Sequence, residues 1–331
     1  MAVQDNEIKW YKAAVMASGA SNGGRMSAVE SVSLTKNNVW PDIDQAERAV
    51  GSTKYRKTFI KTDNSANDGL VNPKAFIETP SPGDDSVMIF AGTQTDTESA
   101  LTGSERTYGA GILNVGVSAG ATSIDVTTEG AAFLHFQDGD EIRISDQATV
   151  LAAGSYEYAT ISGAPTYVGD VATITLASPL ANTYTDTVTR VASILALADI
   201  KAAFDTFGVT SASGTYDSVT EPVLLDGISA VDDTWTLTFT SGTAFNIVGT
   251  ATGAAGSGSI GTATAPNNPD FGAPYFTLAS AGFGGTFLSG DTIIFHTTPA
   301  GAAVWEKRVV PIGAASLAGN KRIIGLLAET A

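Results

Sequence analysis

Two histidines, His135 and His296, are the side chains of this chain with an ordinary pKa near neutrality, and there is no cysteine. Proton transfer at pH 7 would rest on those two residues, and thiol chemistry or a zinc–thiolate site has no residue to use. Two Gly-x-Ser-x-Gly patterns occur, with Ser21 between Gly19 and Gly23 and Ser118 between Gly116 and Gly120. Such a serine acts as a nucleophile when it sits on a strand-to-helix turn with an acid and a histidine following. His296 follows Ser118, but the surrounding sequence reads as strands and turns. The stretch Gly256-Ser257-Gly258-Ser259-Ile260-Gly261 spells the dinucleotide pattern. That pattern needs a helix after it to present amides to a pyrophosphate. Pro266 and Pro269 follow instead, and the match is rejected. Acidic clusters stand at Asp84-Asp85, Asp138-Gly139-Asp140-Glu141 and Asp232-Asp233. None has EF-hand spacing, and each reads as turn residues, with a calcium site built from several loops left open. No catalytic, cofactor-binding or metal-binding residue is assigned, and the chain reads as a non-enzyme with no cofactor.

The elements that would have to position any site are β. Runs of 5–8 residues bounded by Gly, Pro, Asn or Asp recur along the sequence, the spacing of sandwiches and barrels and not of βαβ units. Trp235-Thr236-Leu237-Thr238-Phe239 alternates cleanly, with apolar residues to one face and threonines to the other. Phe136-Gln137-Asp138-Gly139-Asp140-Glu141 and Phe287-Leu288-Ser289-Gly290-Asp291-Thr292 share a Gly-Asp turn entering a strand, common hairpin grammar. One clear helix is predicted over 194–207, where Leu197, Ile200, Phe204 and Phe207 share a stripe before Gly208. A shorter one is predicted from Asp44 to Ala49, capped by Asp42 or Asp44 and stopped by Gly51. The fold class is therefore mainly β, in two or three sandwich- or barrel-like modules. Residues 1–111 form an N-terminal module and 112–195 a compact module that an insertion would equally explain. Residues 196–331 add the helix, a C-terminal module, and a Gly/Ala-rich exposed arm over 249–270.

Charge sharpens this picture. Eighteen basic and 34 acidic residues give a net charge of −16, so a phosphate backbone is repelled and specific nucleic-acid binding is not expected. No run of about 18 apolar residues offers a membrane span, and the first residues lack a signal-peptide layout, so cytosolic synthesis is expected. The acid is concentrated in the middle: residues 111–195 and 196–304 carry −7 and −8, and from Trp305 onward the balance is positive. Such asymmetry suits head-to-tail assembly of copies. Lys54, Arg56, Lys57 and Lys61 alternate along one strand, which reads as a basic edge strand. Together with Trp305, Lys307 and Arg308, the residues Lys54, Arg56 and Lys57 are the expected assembly contacts, meeting the acidic face of a neighbour.

Several stretches together resemble a family of virion structural proteins from tailed bacteriophages. They are Glu7-Ile8-Lys9-Trp10-Tyr11, Ser21-Asn22-Gly23-Gly24-Arg25-Met26-Ser27, Asn37-Asn38-Val39-Trp40-Pro41-Asp42 and Ala49-Val50-Gly51-Ser52-Thr53-Lys54-Tyr55-Arg56-Lys57. Near the end stand Asn268-Pro269-Asp270-Phe271-Gly272 and Trp305-Glu306-Lys307-Arg308-Val309-Val310-Pro311-Ile312-Gly313-Ala314. The resemblance implies a particle component made in the host bacterial cytoplasm and present in many copies. Its partners would be copies of itself and other virion proteins, with no membrane. A tail position (tube, baseplate or neck) is expected, since an acidic lining lets DNA slide. A capsid decoration or cement protein and a host-binding adhesin module are the alternatives.

Overall fold

The computed structural model describes residues 2–129 and 133–330. The chain begins with β1 (Ile8–Val15) and β2 (Gly23–Glu30), then α1 (Gln45–Val50), β3 (Ser52–Thr62), β4 (Leu70–Thr79) and β5 (Ser86–Ala91). A second group follows: β6 (Ala110–Leu113), β7 (Ser123–Thr128), β8 (Glu141–Ser145), β9 (Tyr156–Thr160), β10 (Thr166–Val168), β11 (Val171–Thr175) and β12 (Arg190–Ser193). The two-residue β13 (Leu195–Ala196) leads to β14 (Ala203–Thr210), β15 (Thr215–Tyr216), β16 (Asp233–Phe239), β17 (Ala244–Gly249) and β18 (Gly253–Ser259). Next come β19 (Asn267–Asn268), β20 (Ala273–Pro274), β21 (Phe283–Gly284) and β22 (Thr292–Thr298), and the chain closes with β23 (Gly301–Val310) and β24 (Ile323–Thr330). The protein is mainly β, in sandwich-like modules.

The last two strands do not belong to a C-terminal module. β23 inserts between β3 and β5 to give the five-stranded order β2-β1-β3-β23-β5, and β24 joins the three-stranded sheet β13-β4-β24. These two sheets enclose a core containing Ile60, Leu70, Phe76, Ile77, Ile89 and Val304. The expected region 196–331 is thus divided. Its strands β14 to β22 form a body of their own, and its end returns to the first sandwich.

The two remaining bodies leave and re-enter that sandwich at paired points. Strands β6 to β12 form one sheet of order β10-β11-β7-β6-β12-β8-β9. It curls until Ile161, just past β9, bridges Leu176, just past β11, enclosing Ile124, Val126, Ile142, Ile144 and Val191. Gly109 and Ser193 tie its two ends together, the Gly109 amide donating to Ser193 Oγ at 3.0 Å. The third body is the sheet β14-β22-β16-β17-β18 over an aromatic core of Trp235, Phe239, Phe245, Phe276, Phe287 and Phe295. Its ends meet at a buried alanine cluster that includes Ala202 and Ala300. The Ala202 amide donates to Asn67 Oδ1 at 2.9 Å, and the Thr62 amide to the Ala300 carbonyl at 3.0 Å.

Two local expectations are corrected. Residues 194–207 are not helical: Leu195 and Ala196 pair with β4, and Ala203–Thr210 pairs with β22. The stripe misleads because Leu197 and Ile200 pack on the first core while Phe204 and Phe207 pack on the third. A bulge between Asp205 and Gly208, with Thr206 at φ 50°, restores Phe207 to the inner face. Three-residue spacing here is a strand with one extra residue. The expected arm over 249–270 is instead largely folded, since Gly253–Ser259 is paired along β17 as an edge strand. The short helix does form: Asp44 accepts from the Glu47 amide at 2.7 Å, and Gly51 ends it at φ 75°.

Candidate assembly surface

The basic strand expected at an edge lies in the middle of its sheet. β3 runs between β1 and β23, with Trp305 opposite Lys57, Glu306 opposite Arg56 and Arg308 opposite Lys54. Lys57 and Trp305 are fully buried, Arg56 and Arg308 nearly so, and Lys54 and Lys307 half-buried. Charge at such depth survives only when paired, and Lys54, Arg56, Lys57, Trp305 and Arg308 each have partners in their own chain. Lys57 Nζ lies 2.6 Å from Asp96 Oδ1 and donates to the Gly24 carbonyl at 2.7 Å. Lys61 reaches Asp63 at 2.7 Å, and its ammonium sits over the rings of Tyr11 and Phe271. Trp305 stacks on Phe90 and donates to Asp96 Oδ2 at 2.8 Å. A Cβ added at Gly23 or Gly92 would come within 2.7 or 2.8 Å of its indole, so both positions need glycine. Burial lowers the Lys57 and Lys61 ammonium pKa values, against the pull of Asp96 and Asp63. These side chains hold the sandwich together internally; only Lys54 and Lys307 retain partial access to a neighbour.

Two of the expected contact residues, Arg56 and Arg308, gather with Arg322 around Trp40, a grouping that the sequence pattern does not show. The guanidinium groups of Arg308, Arg56 and Arg322 stand 4.5, 5.1 and 5.9 Å from its ring. The indole donates to Glu306 Oε2 at 2.7 Å, and Glu306 also pairs with Arg322. Glu47 pairs with Arg308 at 3.3 Å and with Lys54 at 2.9 Å. Burial would raise the Glu47 carboxyl, but hydrogen bonds from Ser52 and Lys54 outweigh it and hold the pKa low. Burial lowers Arg322 to about 10. Arg308 and Arg322 are thus each paired with a carboxylate, while Arg56 donates to the Ala17 and Tyr55 carbonyls at 2.8 and 2.7 Å. The alternation Glu306-x-Arg308 on β23 was the visible sign, but only the pairing of distant strands brings it to Trp40.

Above this cluster opens a cleft of about 960 Å³ between the loops 31–43 and 314–324. Val32, Leu34 and Leu317 line it with exposed side chains. Next to it, Val50 and Ile312 are also exposed, and the Gly313 amide donates to the Arg48 carbonyl at 2.8 Å to hold loop and helix together. Val32, Leu34 and Leu317 in the lining, with Val50 and Ile312, are thus large apolar side chains left exposed.

The residues that could have done chemistry are dispersed. Ser21 lies in the turn between β1 and β2, Ser118 in the turn before β7, and His296 on β22. His296 faces Asp205 and Asp232 with its two ring nitrogens, each at 3.2 Å. His135 is fully buried, and neither ring nitrogen has a hydrogen-bond partner among the described residues. Its pKa is pushed down to about 4 by burial and by Arg106. Gly256 to Gly261 runs through an edge strand into a turn, with no helix after it. The acidic clusters are held within the chain: Asp85 accepts from Ser81 Oγ at 2.6 Å, Asp140 pairs with Arg106, and Asp233 accepts from the Thr252 amide at 2.8 Å. Among the described residues, no group of three or more His, Asp or Glu is placed to hold a metal ion, and no helix is long and apolar enough to cross a membrane.

Comparison with protein-family models, with curated proteins and with solved structures finds no match for the chain.

Proposed function

We propose that the protein is a non-enzymatic structural component of a tailed-phage virion, present in many copies and placed in the tail. One observation carries the reading. Three of the six segments that resemble the virion family meet around Trp40: the neighbouring 37–42 and 49–57, and 305–314 from the far end of the chain. Val50 and Ile312, exposed beside the cleft, belong to those same segments. A shared pattern is then concentrated where an exposed apolar surface calls for a partner. The net charge of −16 favours the tail, where an acidic wall beside DNA does not bind it.

Electron microscopy of the purified full chain tests the reading. Rings or tubes are the expected result, and particles that stay monomeric at every concentration overturn it. Gold-labelled antibody on intact virions of the encoding phage should decorate the tail. Label over the capsid shell would indicate the decoration alternative, and label only on distal fibres the adhesin.

A further inference from the structure

We infer that the cleft between the loops 31–43 and 314–324 is a socket for the turn 217–221 of a second copy of this chain. The inference rests on the multi-copy reading above and names the contact it would use. The socket has an apolar rim, where Leu34 is 87% exposed. Its lining holds five basic side chains against the four carboxylates Asp42, Asp84, Asp85 and Glu306, and among the described residues Arg48 and Lys321 are the cations there without a carboxylate partner. Arg308 and Arg322 each keep a buried Nε without a hydrogen-bond partner. Such a site fits an apolar knob flanked by carboxylates.

The third body offers one. Val219, at 91% exposure, stands between Asp217 and Glu221. The turn is built before any partner arrives: Asp217 Oδ1 accepts from the Val219 and Thr220 amides at 3.1 and 3.0 Å, and the Glu221 amide donates to the Asp217 carbonyl at 3.0 Å. A preformed turn loses little conformational entropy on docking. Those amide hydrogen bonds also lower the Asp217 pKa, keeping it ionised. Charge complementarity selects a second copy as the occupant. Residues 203–298 contain eight Asp and Glu and no Lys or Arg, whereas 15 of the 18 Lys and Arg lie in segments 1–110 and 305–331, which build the first sandwich. Knob and socket lie on different bodies, so the contact is head-to-tail and can repeat along a ring or filament.

The absence of cysteine makes a direct test available. Leu34→Cys and Val219→Cys chains, each full length and tagged to differ in size, are mixed and mildly oxidised, beside sedimentation of the unaltered protein. Both sites are exposed, so both variants should fold. The expected result is a mixed disulfide dimer far in excess of either self-dimer. A chain carrying both changes should give a ladder. If the unaltered protein sediments as an assembly but the mixture yields no excess of mixed dimer, the socket is wrong and the multi-copy reading stands. If the unaltered protein is monomeric throughout, both fail. Separately, Val219→Asp should weaken self-association at least about 10-fold, and unchanged association would overturn the proposal.

Discussion

At the scale of single residues, burial and pairing decide the behaviour of every charge. Lys57 has a side chain with no exposure and a carboxylate at 2.6 Å; Lys36 pairs with Asp42 at 3.0 Å but is 79% exposed. Lys57→Ala leaves the Asp96 carboxylate without its cation and opens a buried cavity, and is expected to cost about 3 kcal/mol, whereas Lys36→Ala should stay within about 0.5 kcal/mol. Urea denaturation of the two variants checks the contrast. Two groups with large shifts contribute opposite slopes to the pH dependence. His135 titrates at about 4 when folded against 6.5 ordinarily. Between those values the unfolded chain binds a proton that the folded chain refuses, so His135 makes stability fall as pH falls, by up to about 3 kcal/mol. Glu129 is raised to about 8 by burial and by Asp85, against hydrogen bonds from Ser86 and Val87. From pH 4.5 to 8 the unfolded chain releases a proton that the folded chain retains, so Glu129 makes stability fall as pH rises. The two slopes cancel from 4.5 to 6.5, and a decline from 6.5 to 8 remains. Glu129→Gln should abolish that alkaline decline in urea midpoints, and His135→Phe should expose it down to pH 4.5 by removing the opposing slope.

At the scale of elements, strand parity explains both what the sequence discloses and what it hides. The alternation Trp235 to Phe239 appears directly as buried and less buried positions on β16. The repeated Gly-Asp turn is equally legible: Gly139 and Gly290 adopt φ 82° and 96°, and Asp140 and Asp291 each accept from an amide three residues back. The segment 194–207 misleads because a bulge converts period two into a spacing of three. Thr206 carries that bulge in a left-handed conformation, so Thr206→Gly should stabilise by about 1 kcal/mol. Deleting Thr206 should remove the extra residue while Phe207 and Val209 keep facing inward, so the third body should still fold, seen as retained near-ultraviolet circular dichroism. The strand with Lys54 to Lys61 misleads for another reason. Local sequence shows alternating charge and apolar residues but not the long-range partners, and Asp96, Glu47 and β23 decide that the strand is central. The arginine grouping around Trp40 is hidden on the same ground, because its three arginines come from two strands and the last loop.

At the scale of the whole molecule, the architecture is one sandwich carrying two grafted bodies. The class was legible from composition and turn spacing. The return of β23 and β24 was not, because nothing local in Gly301–Val310 says that it pairs with β3 across the whole third body. Between the first and third bodies, Arg25 lies 3.8 Å from Asp232 and Asp233, and Phe271 packs edge-on to Tyr11. Arg25→Ala should therefore loosen the third body against the sandwich, measured as faster amide exchange in the 229–233 segment with little change in global stability. The paired seams have a wider consequence. Gly109 meets Ser193, and Thr62 and Asn67 hold Ala300 and Ala202, so each graft begins and ends at one spot on the frame. A gene could lose or exchange either graft by a cut at two codons without altering the path of the strands that remain. The sandwich is then a chassis and each graft a cassette, so either acidic body can change while the frame of β1 to β5, β23 and β24 stays the same.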